Sequence, residues 1–103
     1  MCANFEAMRQ NRAFLLNLTM PPQLDFPEDI FPNHNSPLIF SNDGKIEWRS
    51  VNFGMIPKWA KEKSFGKYTY NARTETVAEK PSFREAWHKS QFGLIPVETI
   101  FEP

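Results

Sequence analysis

Hydrophobic positions recur with different periods along the chain, and each period predicts a different element. Residues 6–18 place Met8, Leu15 and Leu18 near one face of a helix, which predicts a short amphipathic helix. Pro21 and Pro22 follow shortly afterwards and are expected to end it. The first element predicted from the sequence is therefore a helix.

Two strand-like runs flank an Asp-Gly dipeptide in the middle of the chain. Residues 38–40 and 46–49 are rich in aliphatic and aromatic side chains, and Asp43-Gly44 lies between them. This arrangement is the strongest short-range signal for a β-hairpin. Residues 68–70 have the β-branched and aromatic composition of another strand.

The remaining segments predict one more helix and one more strand. After Pro81, apolar residues recur at helical spacing up to Gly93. Residues 94–101 have strand composition, and Pro96 restricts that strand to a sheet edge or a bulge. Residues 19–37 contain five prolines, have no sustained period and are expected to be irregular. The predicted class is α+β, with an antiparallel β-sheet core, a hairpin and two short flanking helices.

Composition indicates one small folded domain. The 103 residues are 41% hydrophobic and 15% aromatic, with no formal net charge. Any charge-based function is therefore regional. A single cysteine excludes an internal disulfide. One cysteine and two histidines are also too few for the usual four-ligand structural zinc site. No apolar run is long enough to span a membrane, and we expect a cytoplasmic protein without a membrane partner, metal or cofactor.

Cys2 is the residue that most strongly suggests covalent chemistry. Removal of the initiator methionine, which is usual before a small second residue, leaves Cys2 at the N-terminus. Its thiol and α-amine then lie on adjacent carbon atoms, and both are partly unprotonated at neutral pH. Together they convert an aldehyde, through an imine, into a five-membered thiazolidine ring. The competing interpretation is a small residue without a chemical role.

Two further segments carry candidate binding residues. In an extended strand, Asn71, Arg73 and Glu75 share one face, where an amide orients a reacting group and a guanidinium binds phosphate. The alternative is a solvated polar strand. Residues 45–73 hold seven basic residues against two acidic ones, interleaved with aromatic rings. This pattern suits binding of single-stranded nucleic acid. The alternative is a solvated loop.

Glu98 and Glu102 lie among apolar residues in the sequence. They are candidates for general acid–base groups, and the alternative is that they are surface carboxylates.

Five blocks of the sequence, in order and spacing, resemble the SRAP family, the SOS response-associated peptidases or abasic-site processing proteins. The Asn-Ala-Arg-x-Glu-Thr block, joined to a second-position cysteine, is the most specific of them. The blocks are Met1-Cys2, residues 53–59, residues 71–76, Phe83-Arg84 and residues 94–102.

The resemblance implies a mechanism and a set of site residues. Cys2 would attack the ring-opened aldehyde of an abasic site in single-stranded DNA and form a thiazolidine crosslink during the SOS response to DNA damage. Asn71 would orient the adduct, Arg73 would contact the DNA backbone, and Glu102 would take part in amine and proton chemistry. The residues expected beside the DNA groove are Trp59, Lys58, Lys61, Lys63 and Lys67.

The chain also departs from the family pattern. Ala3-Asn4 replaces Gly-Arg, Phe53 replaces a tryptophan, and the late block loses its glycine and tryptophan. The family's later block with the catalytic histidine is absent, so residues 1–103 resemble the N-terminal part of a single SRAP-like domain. This leaves two alternative functions: an autoproteolytic thiol peptidase, or a non-catalytic fragment that binds single-stranded DNA or a partner. A second chain or a dimer would then complete the fold.

Overall fold

The computed structural model describes residues 3–18, 21 and 24–101, which form five strands and two short α-helices with intervening 3-10 turns. The strands are β1 (Asn4–Ala7), β2 (Asp29–Ile30), β3 (Asn35–Asn42), β4 (Lys45–Asn52) and β5 (Val97–Phe101). The helices are α1 (Gln10–Ala13) and α2 (Arg84–His88), and 3-10 helices span Phe14–Leu16 and Lys63–Tyr68.

A three-stranded antiparallel sheet has the order β2-β1-β5. The predicted helix over 6–18 is wrong at its start, because residues 4–7 form the central strand of this sheet. Phe5 and Ala7 alternate into the core beside Ile30, and that period of two is the strand period. The helix begins only at Gln10.

The helical segment is shorter than predicted, and of the predicted apolar face Met8 and Leu18 pack together with Ala13, whereas Leu15 does not. Met8 and Ala13 are buried, whereas Leu15 is exposed. The segment ends at Asn17, whose left-handed backbone (φ 59°) closes the last turn. It therefore ends before Pro21, through a residue that tolerates positive φ.

The predicted hairpin is confirmed. Strands β3 and β4 pair antiparallel from Asn42↔Lys45 to Asn35↔Asn52. Asp43 (φ 51°) and Gly44 (φ 80°) both have positive φ, the geometry of a two-residue type I′ turn. Outside the hairpin, the backbone of Leu94 exchanges two hydrogen bonds of 2.8 Å with Ile39 and attaches the downstream chain to β3.

The predicted strand at residues 68–70 is wrong. Residues 63–68 form a 3-10 helix, and the chain continues without a ladder partner among the described residues. The Thr69 amide donates to the Gly66 carbonyl at 3.2 Å, and the Met55 amide donates to the Thr69 carbonyl at 3.1 Å. These loop-to-loop bonds satisfy the backbone groups that a strand would have satisfied.

The second helix and last strand follow the prediction in part. Helix α2 covers Arg84–His88, and the chain leaves it through Ser90 (φ 54°) and not through Gly93. Gly93 instead packs against Leu38, where a Cβ atom would collide with the leucine side chain. Strand β5 lies at a sheet edge, with Pro96 just before it, as predicted.

Two small hydrophobic clusters hold the molecule together. Phe5, Ala7 and Ile30 form one, and Met8 and Ala13 form the other, with Trp48 of the hairpin packed against the second. The architecture is therefore α+β with antiparallel sheets, as predicted. Among the described residues, no helix has the length and apolar character to cross a bilayer.

Candidate functional site

A chain of three aromatic rings connects the start of β1 to the Asn71 loop. The buried ring of Phe5 meets Phe53 edge-on at 5.0 Å between centroids, and Phe53 meets Tyr70 edge-on at 5.8 Å. Such contacts add about 0.5–1.5 kcal/mol each beyond area burial. Tyr70 immediately precedes Asn71, which is half-buried. The rings therefore anchor the Asn71 loop to the first strand.

The register of β1 with β5 determines which ends of these two strands lie side by side. Asn4 pairs with Phe101, and Phe5 pairs with Ile100. Because the strands are antiparallel, Asn4 at the start of β1 and Phe101 at the end of β5 lie at the same end of the sheet. Cys2 and Glu102 themselves lie outside the described residues.

The predicted extended face of Asn71, Arg73 and Glu75 is wrong. The amides of Thr76 and Val77 both donate to the Arg73 carbonyl, at 3.1 and 2.8 Å, so a helical turn starts at this point. In a turn, successive side chains no longer alternate between two faces as they do in a strand, so the three side chains do not share one face. The carboxylate of Glu75 accepts a bond from the Thr74 hydroxyl at 3.4 Å, and Arg73 is exposed.

Three aromatic rings and one lysine of the predicted basic and aromatic segment contact one another in the structure. Phe65 meets Trp59 at 5.1 Å and Tyr68 at 6.1 Å between ring centroids. Trp59 is 56% exposed and Tyr68 is 71% exposed, and the ammonium of Lys67 lies 5.0 Å from the centre of the Tyr68 ring. We call Trp59, Phe65 and Tyr68 the aromatic surface.

The lysines around the aromatic surface differ in their availability. Lys61, Lys63 and Lys67 are exposed and form no ion pair with any described residue. Lys58 differs, because its ammonium lies 3.5 Å from the carboxylate of Glu85 on α2. Lys89, at 2.8 Å, and then Lys58 lower the pKa of Glu85 below its usual value. Glu85 thus offsets part of the positive charge at Lys58.

An asparagine–glycine cluster, which sequence reasoning missed, fixes the position of this surface. The Asn52 side-chain amide donates to Asn33 Oδ1 at 3.0 Å and to the Gly54 carbonyl at 2.8 Å. Gly54 has φ 134°, and a Cβ there would overlap the Gly66 carbonyl. A Cβ on Gly66 would overlap the side chain of Asn33. The available sequence signal was the Asn-Phe-Gly tripeptide a few residues after the predicted strand at 46–49.

Glu98 lies away from the end of the sheet that carries Asn4 and Phe101. Its side chain is 17% exposed, and Arg12 Nε lies 3.5 Å from its carboxylate. It stands three residues before Phe101, roughly 10 Å along the strand. Glu98 also lines a cavity with Glu6, Arg9, Asn11 and Arg12, so its neighbours there are polar or charged.

Both histidines make local backbone contacts. The Phe31 amide donates to His34 Nδ1 at 3.0 Å, and His88 Nε2 lies 3.2 Å from the Ala78 carbonyl. Within the described ranges, no three of the His, Cys, Asp and Glu side chains cluster as metal ligands would.

Comparison with known proteins identifies related sequences over the whole fold. Residues 1–103 match the model of the family described as SOS response associated peptidase (SRAP). The chain is 34% identical over 74 residues to "Abasic site processing protein YoqW" of Bacillus subtilis and of Bacillus phage SPbeta, covering 72% of this chain and 33% of each relative. It is 32% identical over 74 residues to "Abasic site processing protein YoaM" of B. subtilis, covering 72% of this chain and 32% of that protein.

A solved structure has the same fold. A Bordetella bronchiseptica protein, crystallised by the Northeast Structural Genomics Consortium, superposes with a TM-score of 0.80 at 29% identity. The match covers 99% of this chain and 51% of that protein. The chain therefore spans about half the length of the solved protein and about a third of the length of the curated relatives.

Proposed function

Because the chain belongs to the SRAP family, we propose that it processes abasic sites in single-stranded DNA by forming a covalent crosslink through Cys2. The α-amine of Cys2 would condense with the ring-opened aldehyde, releasing water and giving an imine. The thiol sulfur would then add to the imine carbon, and the thiol proton would pass to nitrogen. The product is a thiazolidine, which keeps the aldehyde carbon out of strand-cleaving elimination.

The observation that carries this proposal is the register pairing of Asn4 with Phe101. Cys2 is two residues before Asn4, and Glu102 directly follows Phe101. The proposed nucleophile and the proposed proton-transfer group are thus close in sequence to two strand residues that pair with each other. A carboxylate beside the amine would take up and return the protons that imine formation and ring closure require.

The Asn71 loop supplies the third part of the proposed site. The Phe5–Phe53–Tyr70 contacts hold this loop against the strand that begins after Cys2. We propose that Asn71 orients the adduct by hydrogen bonding and that Arg73, exposed two residues later, contacts a phosphate of the DNA backbone.

The aromatic surface and its lysines supply the proposed DNA-binding surface. Trp59 and Tyr68 are exposed aromatic side chains of the kind on which unpaired bases stack, and the ammonium groups of Lys61, Lys63 and Lys67 can contact phosphates. This observation also favours a second candidate function, in which the chain binds single-stranded DNA without covalent chemistry. The covalent candidate depends on Cys2 and on the abasic site, whereas the non-covalent candidate depends on neither.

A denaturing gel separates the two candidates. The protein, with a free Cys2 confirmed by mass spectrometry, is incubated with a single-stranded oligonucleotide that carries one abasic site. If the covalent crosslink forms, the gel should show a slowly migrating band of the protein–DNA complex. This band should be absent with the Cys2→Ala variant and with an undamaged strand. Glu75→Ala serves as a matched control from the Asn71 loop and should leave the band intact. A wild-type lane without the band, at concentrations where native gels show binding, would leave only the non-covalent function.

A further inference from the structure

Among the described residues, no strand pairs with the outer edge of β4. Its register with β3 directs the backbone groups of Lys45, Glu47 and Arg49 towards β3. The amide and carbonyl groups of Ile46, Trp48 and Ser50 therefore point the other way, and they bond to no other described backbone group. An eight-residue strand with such an edge is a template for pairing with another strand.

The side chains along this edge make it self-complementary in one register. If two copies of β4 pair antiparallel with Trp48 opposite Trp48, then Glu47 of each copy faces Arg49 of the other. Ile46 then faces Ser50, and the free backbone groups of Ile46, Trp48 and Ser50 bond to one another across the pair. A symmetric contact of this type forms every favourable interaction twice.

The neighbouring long registers are disfavoured by charge. Moving the symmetry axis by one residue in either direction sets Glu47 against Glu47 or Arg49 against Arg49, and like charges directly opposite are destabilising. Registers further along pair only a few residues. Charge and the length of the paired segment together favour the arrangement centred on Trp48.

The two charged residues are free to make these contacts. Neither Glu47 nor Arg49 forms an ion pair with a described residue. Glu47 accepts one hydrogen bond from Asn42 at 3.3 Å, and the guanidinium of Arg49 lies 4.7 Å from the centre of the Phe40 ring. The chain has zero formal net charge, so no overall repulsion opposes association of two copies.

We propose that the outer edge of β4 binds a second copy of this chain, forming a two-fold symmetric four-stranded sheet with reciprocal Glu47–Arg49 pairs. This dimer is independent of Cys2 and of DNA, and it leaves the aromatic surface outside the strand pairing. The occupant is a second copy because the edge is complementary to itself in charge and in backbone polarity.

Charge reversal in trans tests the proposal. Sedimentation velocity should show concentration-dependent dimers of the wild type below roughly 1 mM, and Glu47→Arg or Arg49→Glu alone should weaken dimerisation at least about tenfold. Mixing these two single variants should restore a dimer, now a heterodimer, because every opposed pair is again of opposite sign. Lys45→Glu is the matched control on the same strand, since Lys45 faces Val51 in this register, and it should leave the dimer unchanged.

Each remaining outcome overturns the proposal. A monomeric wild type up to that concentration would show that the edge does not bind a second copy. A dimer that tolerates both single reversals, or one that the mixture does not restore, would assign association to another surface. Circular dichroism of each variant identifies any loss of folding, and the mixture of folded single variants remains decisive.

Discussion

The β3–β4 hairpin and the segment from residue 53 to residue 76 are built in opposite ways. The hairpin register follows from a two-residue Asp43-Gly44 turn and from its neighbours in sequence. The later segment is held by groups distant in sequence, above all the Asn33–Asn52 pair and the Gly54–Gly66 approach. The candidate DNA-binding residues lie in this second region, so their position depends on tertiary contacts that are not encoded locally.

Alanine at glycines of the two regions should give the largest difference. Gly54→Ala places a Cβ on the Gly66 carbonyl at a backbone angle that side chains rarely adopt, and we expect a loss of about 2–4 kcal/mol in the free energy of unfolding. Gly44→Ala meets no atom within 4 Å and should cost about 1 kcal/mol through its positive φ alone. Urea denaturation of both variants measures the difference. Equal losses would remove the contrast between the regions.

Removing the asparagine bridge should have a smaller effect. Asn52→Ala deletes the bonds to Asn33 and Gly54, and we expect a loss of about 1–2 kcal/mol. Asn42→Ala, at the exposed end of the hairpin with a single bond to Glu47, is the control and should cost less than about 0.5 kcal/mol. If the two variants were equally stable, the cluster would not hold the later segment in place.

The functional difference between the regions should appear in DNA affinity. Trp59→Ala or Tyr68→Ala should each weaken binding to an undamaged single strand by about 1–3 kcal/mol, because each removes a stacking ring. Ile46→Ala removes an equally exposed apolar side chain from the hairpin and should leave affinity unchanged. Fluorescence anisotropy at fixed salt gives the three values. Equal losses in all three variants would argue against a specific aromatic surface.

The smallest predicted effect is a pH dependence at Glu85. Lys89 and Lys58 lower the pKa of Glu85, so its pairs stabilise the fold above the ordinary carboxylate pKa. That contribution is lost as the pH falls through the lowered value. The stability difference between wild type and Glu85→Gln should therefore shrink towards zero on acidification. Glu79→Gln, at an exposed site without a described ion-pair partner, should show no comparable pH-dependent difference.

The sequence predicted those parts of the fold that local signals determine. The hairpin and the edge strand after Pro96 both carried such signals. It failed for residues 4–7 and 68–70. At residues 4–7, Phe5 and Ala7 have the two-residue period of a strand, but the helical pattern over residues 6–18 obscured it. At residues 68–70, the Thr69 carbonyl accepts a hydrogen bond from the Met55 amide in a loop, and no strand forms.

The candidate site shows the same limit. The residue types around Asn71 were visible in the sequence, but their alignment on one face was not, because a turn starts at Arg73. The pairing of Asn4 with Phe101 joins positions nearly a whole chain apart. No local pattern reports such a contact, although it brings the two strand ends together.

The most direct test of the central claim is to identify the residue that carries the DNA. The crosslinked complex is formed with and without borohydride reduction, digested with protease and nuclease, and mapped by mass spectrometry. The account predicts a deoxyribose remnant on an N-terminal peptide that begins with Cys2, formed without reduction and absent in Cys2→Ala. A remnant found only after reduction, on Lys61, Lys63 or Lys67, would identify a transient lysine imine and contradict the Cys2 mechanism.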